Sequence, residues 1–162
     1  MSDATIRRAI AADAGAIAAM IHELAEFEKL LDVYEASEER LVATLFGERP
    51  AAASLVAELD GEIVGYAIFF TTFSTFLALP GIWLEDIYVR PAARRSGVGG
   101  ELFAAVAREV VAIGGGRMEW SALDWNERAL AFYSQLGAEL LDDWLMLRLS
   151  GEQLLQVAGA SA

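Results

Sequence analysis

A strand, helix, strand run between Ile82 and Leu123 restricts this chain more than any other feature. Ile82 to Val89 is rich in β-branched and aromatic residues. A glycine-bearing turn leads from it into a helix to about Ile113, where Gly114, Gly115 and Gly116 stop the helix, and Met118 to Leu123 reads as the next strand. Two strands joined through a helix lie parallel in one sheet. Upstream, an Asp60-Gly61 turn joins Ala53–Leu59 to Glu62–Phe73 as an antiparallel hairpin, and a Pro80-Gly81 break is expected before Ile82. A chain holding both kinds of connection builds a mixed sheet covered by helices, an α/β fold.

The remaining elements fit around that frame. Thr5 to Ala9 reads as a first strand. Asp13 is placed to cap a helix running to roughly Leu30, with Ile17, Met20, Ile21 and Leu24 on one face. Ser37 is placed to cap a second helix, with Glu38 and Glu39 in its first turn and Gly47 at its end. Asn126 to Leu136 reads as a later helix closed by Gly137, and the last strands are expected within Glu139–Leu149. No repeat or linker divides the chain, so a single domain over 1–162 is expected.

Composition narrows the partners. There is no cysteine, which excludes disulfides, thiolate metal sites and thiol nucleophiles, and no metal is expected. Twelve Lys+Arg against 24 Asp+Glu give a net charge of −12, which argues against nucleic acid and suits a cationic substrate, an acidic surface that only keeps the protein in solution being the plainer alternative. The hydrophobic fraction of 56% and the mean hydropathy of +0.38 point to apolar surface buried in a homodimer. Met1 to Ile10 carries Asp3, Arg7 and Arg8 instead of a signal-peptide core, and the other apolar runs are too short for a membrane span. A cytoplasmic protein without membrane contact is expected.

Arg94-Arg95-Ser96-Gly97-Val98-Gly99-Gly100 lies between a strand and a helix, where backbone N–H groups converge on an anion and glycine permits close approach. Arg90 adds to a local positive spot on an acidic chain. The spacing is neither a P-loop nor GxGxxG, and a flexible loop with solvated arginines is the plainer alternative. Glu85 and Asp86 are adjacent acids in an apolar strand, so their side chains are expected on opposite faces with at least one partly buried. Tyr133 on its own reads as a packed tyrosine.

Arg94-x-x-Gly97-x-Gly99 after Leu84-Glu85-Asp86-Ile87-Tyr88-Val89, with the later Asp124-Trp125-Asn126-Glu127 and Ala131-Phe132-Tyr133, resembles the GCN5-related N-acetyltransferases over about Ile6 to Leu149. Glu23-Leu24-Ala25, Phe27-Glu28, Phe73-Ser74-Thr75-Phe76 and Trp83-Leu84-Glu85-Asp86 are similar to the diamine acetyltransferase branch. The resemblance implies a sheet of about six or seven strands with helices on both faces and two splayed parallel strands holding acetyl-CoA.

In that reading Ile87, Tyr88 and Val89 offer backbone groups to the pantetheine arm. The turn Arg94, Arg95, Ser96, Gly97, Val98, Gly99 and Gly100 cradles the pyrophosphate, and Asn126 holds the cofactor from the next helix. Tyr133 is implied as the acid that protonates the coenzyme A thiolate, and Glu85 as the group that binds the amine and helps deprotonate it. Phe27, Glu28, Glu119, Trp120 and Ser121 are implied at the acceptor side. Departures from the family are a shorter Asp60-Gly61 connection and Arg128 where proline is common. The implied reaction is acetyl transfer to a small polyamine, diamine or basic amino acid analogue. A protein or peptide amine or another amino acid is the alternative acceptor, and a non-catalytic acyl-CoA-binding module is the alternative of another class. His22, the only histidine, is read as surface or packing.

Overall fold

The computed structural model describes residues 3–160, in two compact units divided between Ser121 and Ala122. The first unit holds a five-stranded sheet in the order β1 (Thr5–Arg8), β2 (Ala53–Leu59), β3 (Glu62–Ser74), β4 (Leu79–Val89) and β5 (Met118–Glu119). Neighbours from β1 to β4 are antiparallel, and β4 to β5 is the parallel crossover expected from the Ile82–Leu123 run. Its helices are α1 (Ala14–Glu28), α2 (Glu38–Leu45) and α3 (Val98–Ala112). The second unit contains α4 (Glu127–Gln135) and α5 (Gly151–Ala158).

Strand alternation sorts the apolar residues to two faces. Leu55, Ala57, Ala67, Phe69, Ile82, Leu84 and Val89 pack with Leu102, Val106 and Val110 of α3. On the other face Val56, Tyr66, Ile68 and Tyr88 pack with Ile17 and Met20 of α1 and Leu41 of α2. Helices therefore cover both faces of one mixed sheet.

Local chemistry explains several boundaries and corrects others. Ser37 caps α2, its Oγ accepting from Arg40 N at 3.2 Å. Asp13 precedes α1 but does not cap it. Its carboxylate takes two bonds from Arg7, at 2.7 and 3.0 Å, and one from Ile10 N at 2.8 Å, so it ties β1 to the start of α1. The Arg7 guanidinium holds that carboxyl below the usual carboxylate range. α1 ends at Glu28 because Lys29 turns left-handed, with φ at 61°.

Pro80-Gly81 lies inside β4 and is no break. A Cβ on Gly81 would sit 2.9 Å from Thr72 Oγ1 and 3.0 Å from Arg117 O, so glycine here lets the approach to β5 pass against the strand. Pro80 keeps its acceptor in use, taking Gly116 N at 2.9 Å. The expected strand Met118–Leu123 contracts to Met118–Glu119, and residues 139–149 form no strand among the described residues, so the sheet has five strands in place of six or seven. Apolar alternation gives a segment strand character, but only a ladder partner makes it a strand.

One irregularity shapes the site. Ile68 pairs with Asp86 while Phe69 pairs with Leu84, which leaves Glu85 as an extra residue in β4. Such a bulge bends the strand and slips its side-chain alternation by one. Before it Ile82 and Leu84 face α3; after it Ile87 and Val89 do.

Candidate active site

The bulge opens one edge of β4. Parallel pairing with β5 covers only Ile82↔Met118 and Trp83↔Glu119 and stops there. From Glu85 to Val89 the β5 side of β4 has no ladder partner among the described residues of the first unit, which leaves its main-chain N–H and C=O groups available to a ligand. Ile87, Tyr88 and Val89 lie on this stretch, where the sequence places the pantetheine-binding groups.

The turn that follows is shaped for an anion. Arg95 and Gly97 both adopt positive φ, 68° and 91°, a backbone that turns successive N–H groups toward one point. The N–H groups of Val98, Gly99 and Gly100 precede the first bond of α3, which Glu101 N makes to Gly97 O at 3.0 Å, and Gly97 offers no side chain to cap them. A Cβ on Gly100 would meet nothing within 4 Å, and one on Gly99 only Val89 Cγ2 at 3.8 Å. Neither glycine is demanded by protein packing, and the open space above them suits a phosphate. Ser96 Oγ donates to Ala93 O at 2.7 Å, bracing the loop.

Arg94 is less free than the motif suggests. Its Nε donates to Val89 O at 2.7 Å, and its guanidinium lies 5.3 Å from the Tyr88 ring centre and 5.9 Å from that of Phe27. Phe27, expected at the acceptor, therefore also steadies an arginine of the cofactor turn. Beside it Glu23 accepts from Tyr88 Oη and Arg90 Nε, both at 3.1 Å, which fastens α1 to the end of β4.

The acidic residues gather on the α1 face. Trp83 lies on the face opposite Leu84, and its Nε1 donates to Glu85 Oε2 at 2.9 Å. Asp86 stands beside Tyr66, whose hydroxyl lies a long 3.5 Å from Asp86 Oδ2. Glu85 and Asp86 thus share one face, contrary to simple alternation, because the bulge cancels the half-turn between neighbours. Burial, then the charges of Glu85 and Glu28, push the Asp86 carboxyl up to about 6, against the opposing pull of the Tyr66 hydroxyl. Burial also raises Glu28, and burial with the Asp86 charge raises Tyr66 well above an ordinary phenol.

The rim residues separate. Glu119 pairs in register with Trp83, which puts it on the same face, where its Oε2 meets Arg117 Nε at 2.8 Å. Trp120 turns to the α3 face, edge-on to Phe103 at 5.0 Å. Ser121 is exposed at the end of the first unit. In the second unit Asn126 caps α4, its Oδ1 accepting from Ala129 N at 3.2 Å, and Tyr133 lies in that helix with its ring 5.4 Å from Phe132. His22 is exposed and stacks edge-on with Tyr34 at 5.2 Å. Sequence reasoning left Tyr66 and Glu23 out of the site, and gave Asp86 no role. The phase change from Ile82/Leu84 to Ile87/Val89 was the signal that would have placed Asp86.

Residues 18–138 match the model of the acetyltransferase (GNAT) family. The chain belongs to the GNAT acetyltransferases. It is 39% identical to a thialysine N-epsilon-acetyltransferase of Bos taurus, over 98% of this chain and 99% of that one. It is also 32% identical to an L-ornithine N5-acetyltransferase of Arabidopsis thaliana, over 92% and 85%. A solved integron cassette protein of V. cholerae superposes with a TM-score of 0.81 at 23% identity, covering 99% of each chain, and so shares the GNAT fold. As a GNAT enzyme the chain is an N-acetyltransferase, whose acetyl donor is acetyl-CoA. Among the described residues no helix is long and apolar enough to cross a membrane, and no group of three or more His, Cys, Asp or Glu is placed to hold a metal ion.

Proposed function

We infer that this N-acetyltransferase acts on the primary amine of a small polyamine, diamine or basic amino acid analogue. The observation that carries the reading is the set of carboxyl groups Glu28, Glu85 and Asp86 on one face, next to the strand edge that the bulge opens. An ammonium chain is the natural guest of such a cluster, and a second positive charge on the acceptor gives it more to bind. Trp83 and Phe27 add aromatic faces at its borders. The chain's net charge of −12 favours the approach of a cation. The names of the thialysine and ornithine relatives, both acting on amines of basic amino acids, support the same class.

In this reading Ile87, Tyr88 and Val89 hold the pantetheine arm, the turn Arg94 to Gly100 holds the pyrophosphate, and Asn126 is a further cofactor contact. A main-chain N–H near Ile87 steadies the oxyanion formed when the amine attacks the thioester carbonyl. Glu85 helps to remove the amine proton, and Tyr133 protonates the departing thiolate. The enzyme works as a cytoplasmic homodimer, in keeping with its hydropathy of +0.38.

Coenzyme A release, measured with putrescine, spermidine, thialysine, lysine and a short peptide, tests the assignment. Turnover confined to the small amines and reduced in Glu85→Gln supports it. Turnover only with the peptide moves the acceptor to protein amines, and no turnover with any acceptor despite tight acetyl-CoA binding removes the enzyme reading of this site. Tyr133→Phe is expected to lower kcat far more than it weakens acetyl-CoA binding, and an unchanged rate removes Tyr133 from the acid role.

A further inference from the structure

Glu85 and Asp86 face the same side of the sheet but stand in different surroundings. Glu85 is exposed, and its carboxylate already accepts the Trp83 indole N–H at 2.9 Å. Asp86 is set deeper, against the buried ring of Tyr66 from β3, with Glu28 approaching from α1 and Glu85 from its own strand. Among the described residues of the first unit no cation pairs with it. The arginines that follow β4 are committed elsewhere, Arg90 to Glu23 and Arg94 to Val89 O. It occupies the first paired position after the bulge, directly before Ile87, on the stretch where the β4 edge is open. A carboxyl placed there borders that open edge, on the face where the other carboxyl groups gather.

We propose that Asp86 is the proton acceptor of the acetyl transfer, receiving the ammonium proton that Glu85 helps to deliver from the acidic face. This rests on the small-amine reading given above. The alkylammonium R–NH3+ gives one proton to the Asp86 carboxylate and becomes R–NH2. Its lone pair forms the C–N bond at the thioester carbon. When the tetrahedral adduct collapses, the C–S bond breaks, the second nitrogen proton is lost and the thiolate is protonated, leaving R–NH–acetyl and coenzyme A thiol. Asp86 then returns its proton to solvent, so one proton is released per turnover.

Environment favours Asp86 over its neighbour for this role. Proton transfer from an amine to an ordinary carboxylate is steeply uphill, and a carboxyl raised toward neutrality shortens the climb while staying ionised at working pH. Burial sets most of the balance, followed by the Glu85 and Glu28 charges, and the Tyr66 hydroxyl acts against all three. The hydroxyl favours the ionised form and the two carboxylates oppose it. Tyr88, next on this face, is turned to Glu23.

The test is the pH dependence of kcat/KM, which reports groups of the free enzyme. The wild-type enzyme is expected to show an acid limb near pH 6. Asp86→Asn should abolish that limb and lower kcat at saturating amine by about 100-fold or more, with a smaller change in KM. Asp86→Glu should restore part of the rate. Tyr66→Phe should move the limb to higher pH and Glu28→Gln to lower pH, shifts that a merely structural role would not produce. A limb that persists in Asp86→Asn, or that stays fixed in both Tyr66→Phe and Glu28→Gln, overturns the proposal. A raised KM with unchanged kcat in Asp86→Asn overturns it too, leaving Asp86 a binding group. Absence of turnover by the wild-type enzyme with any amine would instead refute the small-amine reading itself.

Discussion

Gly100→Ala should make the protein more stable and a poorer binder of acetyl-CoA. Gly100 is the third residue of α3, and a Cβ there meets no heavy atom within 4 Å. The methyl group therefore costs the free protein nothing in packing. Replacing glycine by alanine in a helix gains up to about 1 kcal/mol, and about half of that is reasonable in a first turn. For a chain of this length that raises the melting temperature by about 1–2 °C. The same methyl group occupies the space above the first N–H groups of α3, where the proposed pyrophosphate site lies. Acetyl-CoA at a hundredfold excess over Kd stabilises the wild type by about 2.7 kcal/mol, or about 5–10 °C. If the methyl weakens binding a hundredfold, that same ligand concentration gives only about 0.4 kcal/mol. Differential scanning fluorimetry with and without acetyl-CoA reads both numbers, and calorimetric titration checks the affinity. A variant that melts lower without ligand would refute the open-space argument. One that keeps the full ligand-induced shift would remove this turn from the pyrophosphate site.

Asp86→Asn should stabilise the fold at neutral pH. The native carboxyl titrates near 6 against 3.8 in the unfolded chain, so the folded state binds more protons between these values and stability falls as pH rises through them. The substitution should gain at most about 3 kcal/mol above pH 6, and thermal melts should show the gain fading to nothing near pH 4. Asp13→Ala removes an acceptor of three bonds, two of them from Arg7, which still keeps Glu58 at 3.0 Å. A loss of about 2–4 kcal/mol is expected in urea unfolding at pH 7. Because the Asp13 carboxyl is depressed in the fold, that loss should shrink as pH drops below about 4, through its native value. Ser37→Ala deletes the α2 cap and should cost about 1 kcal/mol, seen as a melting temperature lower by about 2–4 °C with acetyl-CoA affinity unchanged.

Much of this was legible along the chain because it is written in local chemistry. The Asp60-Gly61 turn fixes β2 and β3, both of its residues at positive φ, 53° and 82°. Ser37 and Asn126 announce helix starts, and the glycines after Val89 announce the turn into α3. What was hidden depends on partners distant in sequence. Pro80-Gly81 reads as a break until Arg117 is seen to need the space beside Gly81. Residues 139–149 have strand-like alternation, yet pairing is decided elsewhere in the fold. Alternation sets Glu85 and Asp86 on opposite faces, and only the pairing with β3 shows the bulge that puts them on one; the partnership of Asp86 with Tyr66 spans 20 residues.

The bulge at Glu85 also makes the site depend on chain length. Substitutions along β4 can trade side chains and leave the gap beside β5 intact, because the gap is made by one surplus residue and not by any particular group. A single deletion here is a different event. It would let Asp86 and Ile87 follow the rhythm set by Ile82 and Leu84 without a break, leaving each on its present face and letting β5 zip along the newly straight edge. The protein would keep nearly all its residues and lose the slot for its substrate, so insertions and deletions in this strand are the changes that a working descendant of this chain can least accept.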